Sequence, residues 1–148
     1  MRGAFEDIEI GQARETASRT VTKEEILAFA QEFDPQIFHL DEEAAKQSVF
    51  GGLCASGWHT ASLMMRLQMD AWKSDYSMGS PGFDDLRWLK PLRPGDTIHV
   101  RATCIEKTPS RSKPDRGSAK WKTEVVNQKG EVVLDAELIG IYRKRDAG

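Results

Sequence analysis

The 148-residue sequence predicts an α+β fold, with an antiparallel sheet wrapped around one long buried helix. Three observations carry this. The stretch "SGWHTASLMMRLQMDAWK" holds Trp58, Ala61, Leu63, Met64, Met65, Leu67, Met69 and Trp72, so a helix there is apolar on most of its circumference and predicts burial. From Ser80 onward the pattern becomes alternating strands broken by turn residues. Helical signals thus fill the first half of the chain and strand signals the second.

Taken in order, "ARETASRTV" alternates enough to predict a short edge strand. "VTKEEILAF" starts a helix, with Thr22 as cap, Glu25 three residues on as its reciprocal partner, and Val21 and Ile26 at the flanking apolar positions. Ile26, Leu27, Ala30 and Phe33 recur at helical spacing, and Pro35 disfavours helical geometry at Asp34, so this helix should end there. "FDPQIFHLD" then puts Asp34 at a helix exit and His39 in a turn beyond it, among apolar neighbours. Buried ionisable groups are costly unless paired or used. A short polar helix over "DEEAAKQS" comes next, Gly51 and Gly52 interrupt the chain, and Ser56 or Gly57 opens the long helix, which runs to about Trp72. "GFDDLRWLKPLRPGDTIHVRATCIEK" reads as strands around a turn at Pro94 and Gly95. "SAKWKTEVVNQ" and "EVVLDAELIGIYRK" pair through a turn at Lys129 and Gly130. A sheet curled round one helix keeps free edges, which a second copy commonly covers, so a homo-oligomer is expected.

Length suits one domain over residues 1–148. A net charge of -2 gives no electrostatic reason to expect nucleic acid or an anionic membrane as partner. The start "MRGAFEDIEIGQ" has acids early and no apolar core, so no signal peptide is expected, and no run approaches the roughly 20 apolar residues of a membrane helix. Cys54 and Cys104 form no CxxC, and His39, His59 and His99 lack metal-ligand spacing, so neither a disulfide framework nor a metal site is expected and a reducing cytoplasm is the default. No GxGxxG or Walker motif points to a nucleotide cofactor.

An acid, an imidazole and a helix N-terminus are the parts needed to polarise a carbonyl and move a proton beside it. Asp34, His39 and the helix start at Gly57 supply them, with Ser62 one turn into the same helix. Taken alone, Asp34 and His39 could equally be a helix-terminal acid and a satisfied loop histidine. Ser62 could simply bond back to its own helix. Arg111, Lys113 and Arg116 form either a solvated turn or a grip for phosphates, and Arg87 and Arg93 could serve the same purpose. Cys54 has no base beside it in sequence, and His99 alternates with Ile98 and Val100 as an exposed strand residue.

The stretches "FDPQIFHLD" and "FGGLCASGW" resemble the signature of the MaoC-like dehydratases, the R-specific enoyl-CoA hydratase branch of the hot-dog fold. That pattern runs Asp, any residue, Asn, Pro, an aliphatic residue, His, any residue, Asp. Asp34, His39 and Asp41 match it in register, and Phe50, Gly51, Gly52 and Gly57 match its continuation into the central helix. "LRWLKPLRPGD" resembles the strand leading into the family's Pro-Gly turn, and the likeness spans about residues 5–143. It implies a hot-dog fold with an acyl-thioester tunnel along a homodimer interface. There Asp34 and His39 would hold one water and add it across a 2-enoyl-CoA, or remove it from a 3-hydroxyacyl thioester. The amide of Gly57, with Ser62 nearby, would bind the thioester oxygen, and Gln36, Phe50, Ser56 and Trp58 would contact substrate. CoA would be the substrate's carrier, with no other cofactor implied. The chain departs from the pattern at Gln36, which stands where Asn is usual, at Pro35, where the proline has moved, and at Ser56, which replaces a histidine. His59 lies about 300° round the helix from Ser56 and is no simple substitute. Two other readings remain: a thioesterase on the same fold, and a non-catalytic acyl-CoA-binding module, towards which the loss of the histidine at 56 leans.

Overall fold

The computed structural model describes residues 2–146. After a 3-10 turn at Phe5–Asp7, short strands β1 (Ala13–Glu15) and β2 (Arg19–Thr20) both pair antiparallel with β4 (Thr97–Pro109). The edge strand expected over 13–21 is thus two pieces, broken at Thr16–Ser18, where Thr16 bonds to Val100 through both its amide and its hydroxyl.

Helix α1 (Lys23–Phe33) begins with the expected reciprocal cap: Glu25 N–H donates to the Thr22 hydroxyl at 3.2 Å, and Thr22 N–H to the Glu25 carboxylate at 2.8 Å. Val21 and Ile26 are fully buried. The helix ends at Asp34, whose N–H closes on Ala30. The turn expected around His39 is a single helical turn, α2 (Ile37–Leu40), and α3 (Glu42–Lys46) comes after it, with the Asp41 carboxylate accepting from Ala44 N–H.

Helix α4 (Gly57–Ala71) packs Leu63, Met64 and Leu67 against Val100, Val125, Leu134 and Ala136 of the sheet. Its burial is one-sided, which corrects the expectation of a helix buried all round. Trp58 (60% exposed) and Met69 (43%) face outward beside the ion pair of Arg66 and Asp70. Ser56, Thr60, Leu63 and Met64 turn inward because one sheet covers one face.

Strands β3 (Gly82–Trp88), β4, β5 (Arg116–Val126) and β6 (Val132–Arg143) build the sheet in the order β1-β4-β5-β6-β3. This is the expected hot-dog arrangement of an antiparallel sheet around a long helix. Gly130 adopts φ 75° in the β5–β6 turn, where the Asn127 side chain accepts from Lys129 and Glu131 amides. At the predicted Pro94–Gly95 turn, Gly95 (φ 86°) donates to Val21 O and so ties the entrance of β4 to the start of α1.

Candidate active site

Three segments that are distant in sequence converge at the N-terminus of α4. The end of α1 delivers Asp34, α2 delivers His39, and the N-cap of α4 is Ser56. His39 is buried, 5% exposed, and its Nδ1 lies 2.6 Å from the main-chain oxygen of Cys54. A carbonyl only accepts, so this bond fixes the proton on Nδ1 and leaves Nε2 facing Asp34 Oδ2 at 3.5 Å. Nε2 therefore faces the carboxylate directly, and with Nε2 unprotonated a water donating one O–H to each satisfies both acceptors.

The Asp34 carboxylate is tightly held. Ser56 Oγ donates to Oδ2 at 2.6 Å and Gln36 Nε2 to Oδ1 at 2.6 Å. The Ser56 hydroxyl is the main influence keeping Asp34 below the usual carboxylate value. Burial opposes it, and the Gln36 amide and the His39 ring reinforce it. Ser56, completely buried, also accepts from Trp58 N–H at 3.3 Å, so one hydroxyl caps α4 and holds the acid.

Two of the three departures from the family pattern, Gln36 and Ser56, are thus the two donors to Asp34. The longer amide arm of Gln36 still reaches the carboxylate. Ser56 occupies the place of an imidazole with a different role, as donor to the acid. His59 does not replace it. Its ring stacks on Phe29 at 4.7 Å, its Nδ1 is buried without a partner among the described residues, and burial pushes its pKa down.

These groups open on a cavity of about 410 Å³. Asp34, Gln36, His39, Gly57 and Trp58 line it, with an apolar wall that includes Phe38, Phe50, Trp88 and Leu92. Among the described residues Gly57 N–H has no acceptor, so the first amide of α4 is free beside the cavity, where the helix carries partial positive charge. Trp88 packs against Gly57 and donates from Nε1 to Gly57 O at 2.7 Å; a Cβ on Gly57 would stand 2.5 Å from the indole. The glycine is required by that close approach.

Ser56, expected to contact substrate, is completely buried and reaches Asp34 without lining the cavity; around the cavity the structure brings together Asp34, His39, Gly57, Gln36, Phe50 and Trp58. It leaves out Ser62, which is exposed, bonds back to Trp58 O at 2.8 Å and does not line the cavity. Arg93 is no phosphate grip either: its guanidinium is spent on the carbonyls of Phe50, Gly52 and Leu53 and braces the loop that carries Phe50. Arg116 is engaged with Asp115. His99 is only part-buried and lies 3.7 Å from Glu15. Sequence reasoning missed the bracing role of Arg93 and the closeness of Cys54 to the imidazole. The Cys54 thiol sits 3.7 Å from His39 Nδ1, and burial pushes its pKa up. Among the described residues no group of three or more His, Cys, Asp or Glu converges on a metal position, and no helix is long and apolar enough to cross a membrane.

The family described as MaoC like domain matches residues 6–127. An uncharacterized protein, YdeM of Bacillus subtilis, is 31% identical over 141 residues, covering 95% of this chain and 99% of that one. The crystal structure of the MaoC-like dehydratase from Rhodospirillum rubrum superposes with a TM-score of 0.92 at 42% identity, over 97% of this chain and 99% of that chain. The R-hydratase PhaJ1 from Pseudomonas aeruginosa shares the fold, with a TM-score of 0.76 at 24% identity over 96% of this chain and 86% of that chain.

Proposed function

Because this chain belongs to the MaoC-like domain family, we propose that it is a hydro-lyase adding water to a 2-enoyl thioester to give a 3-hydroxyacyl thioester, and catalysing the reverse. The observation that carries this reading is Asp34 Oδ2 facing His39 Nε2 at 3.5 Å inside an apolar cavity beside a free helix N-terminal amide. Water held between the two acceptors gives a proton to the pair as its oxygen bonds the β-carbon. The pair returns a proton to the α-carbon, so one water is consumed and the catalyst is regenerated. Gly57 N–H stabilises the charge that develops on the thioester oxygen. Ser56 and Gln36 keep Asp34 ionised, and the Cys54 carbonyl keeps the His39 ring in one tautomer. Phe50 and Trp58 supply apolar contact for the acyl group.

The carrier is proposed to be CoA, and the working unit a homodimer. The end strand β3, with Phe83, Trp88 and neighbouring Leu89 41–50% exposed, is the edge a second copy would cover. Asp34→Asn and His39→Asn should each lower crotonyl-CoA hydration by about 10²- to 10⁴-fold, followed as loss of enoyl absorbance, with folding unchanged by circular dichroism. Turnover close to wild type in either variant would remove the assignment.

A further inference from the structure

At the other end of α4, a second cavity of about 330 Å³ shares no residue with the first. Among the described residues its charged lining consists of Arg2, Arg14 and Lys73, with no Asp or Glu, although the chain as a whole is net negative. Arg14 is half-buried, its guanidinium 4.4 Å from the centre of the Trp121 ring and 5.5 Å from that of Trp72. Among the described residues it makes no ion pair and donates no side-chain hydrogen bond. A cation taken partly out of water ordinarily has a counter-charge.

Two neutral donors share this condition. Gln68 is 3% exposed and its Nε2 has no partner among the described residues. Tyr142 accepts from Trp121 Nε1 at 3.2 Å, while among the described residues its own O–H has no acceptor. Arg14 and Tyr142 thus line one cavity as donors without an acceptor, and Gln68, which lines it too, holds its unpartnered Nε2 just behind the wall. The rest of the wall is apolar, with Ile8, Ala102, Leu138 and the two indoles. Burial also pushes the Arg14 pKa down, as expected for a guanidinium lacking an anion.

We infer that this cavity is a binding site for a small organic carboxylate with an apolar body, its carboxylate received by Arg14, Gln68 and Tyr142 and its body by the indole and aliphatic wall. Guanidinium forks and amide donors match the two oxygens of a carboxylate. The volume suits a molecule the size of octanoate. The site stands apart from the Asp34–His39 centre and does not depend on the hydro-lyase reading.

Isothermal titration of the full chain with octanoate should show saturable binding of one molecule per chain. The neutral isostere octanamide should bind at least about tenfold more weakly. Arg14→Met keeps an apolar stem between the indoles, and Gln68→Met keeps the volume; each should weaken octanoate binding about tenfold or more. Gln68→Met should also unfold at the same or a higher temperature than wild type, because it removes an unpartnered buried donor, so its loss of binding is not a loss of fold. Saturating crotonyl-CoA should leave octanoate affinity unchanged. Octanoate that does not bind at millimolar concentration, that binds no better than octanamide, that is insensitive to Gln68→Met, or that is displaced by crotonyl-CoA overturns the inference.

Discussion

Ser56→Ala isolates a hydroxyl with two separate duties. In the wild type it donates to Asp34 Oδ2 at 2.6 Å and accepts from Trp58 N–H as the cap of α4. Removing a cap costs about 1 kcal/mol, and a hydrogen bond to a charged group is worth about 1.5–3 kcal/mol. Because one atom does both jobs and the alanine leaves Asp34 less well satisfied, a total loss of about 2–3 kcal/mol is expected at neutral pH, or roughly 5–10 °C in Tm for a chain of this size. The loss should depend on pH. Asp34 is held below its ordinary value of 3.8, so its share of the stability is complete above that value and disappears as pH falls through the folded-state value, where the carboxyl protonates even in the native protein. Urea denaturation followed by circular dichroism from pH 7 down to pH 3 should therefore show the gap between wild type and Ser56→Ala narrowing below pH 3.8 towards the capping contribution alone. The acid limb of the pH–rate profile should move to higher pH in the variant. A gap that is constant over this range, or absent at pH 7, would refute the assignment of Ser56 as the group that keeps Asp34 ionised.

Gly57→Ala places a methyl 2.5 Å from the Trp88 indole and forces the ring off the helix start; a loss of about 1–3 kcal/mol is expected, with red-shifted tryptophan emission as the readout. Arg93→Met leaves the carbonyls of Phe50, Gly52 and Leu53 without their shared donor, so denaturation should show a loss of about 2–4 kcal/mol and hydration assays a raised KM. His59→Phe keeps the stacking on Phe29 and removes a buried nitrogen with no partner, and should gain about 1 kcal/mol. Burial holds His59 neutral in the fold, so wild-type stability falls as pH drops below the ordinary histidine value of 6.5, and this part of the acid sensitivity should be missing from the variant.

Local chemistry made much of this readable in advance. Thr22 and Glu25 announce α1, Pro35 stops it at Asp34, and Asn127 to Glu131 fold the last hairpin, because each signal acts within a few residues. The features that escaped reading depend on distant partners. α2 has one turn and no side-chain cap, so nothing in "IFHL" distinguishes it from a loop. Arg93 reaches carbonyls 40–43 residues away, and His39 reaches a main-chain oxygen 15 residues away; neither acceptor has a side-chain identity to recognise. Ser62 was misplaced for a different reason, and a signal was present. Trp58, Ser62, Arg66 and Asp70 recur every four residues, and the charged pair at the end of that row marks it as the face turned to water.

The bond from His39 to the Cys54 carbonyl makes the two halves of the proposed catalytic pair unequal as targets for change. A peptide oxygen stays an oxygen whatever side chain residue 54 carries, so drift at that position leaves the imidazole's orientation almost untouched. The carboxylate depends on Ser56 and Gln36, whose donors vanish with single codon changes. Variation in proton affinity among relatives built on this scaffold should therefore accumulate on the acid's side, while the base keeps one posture throughout.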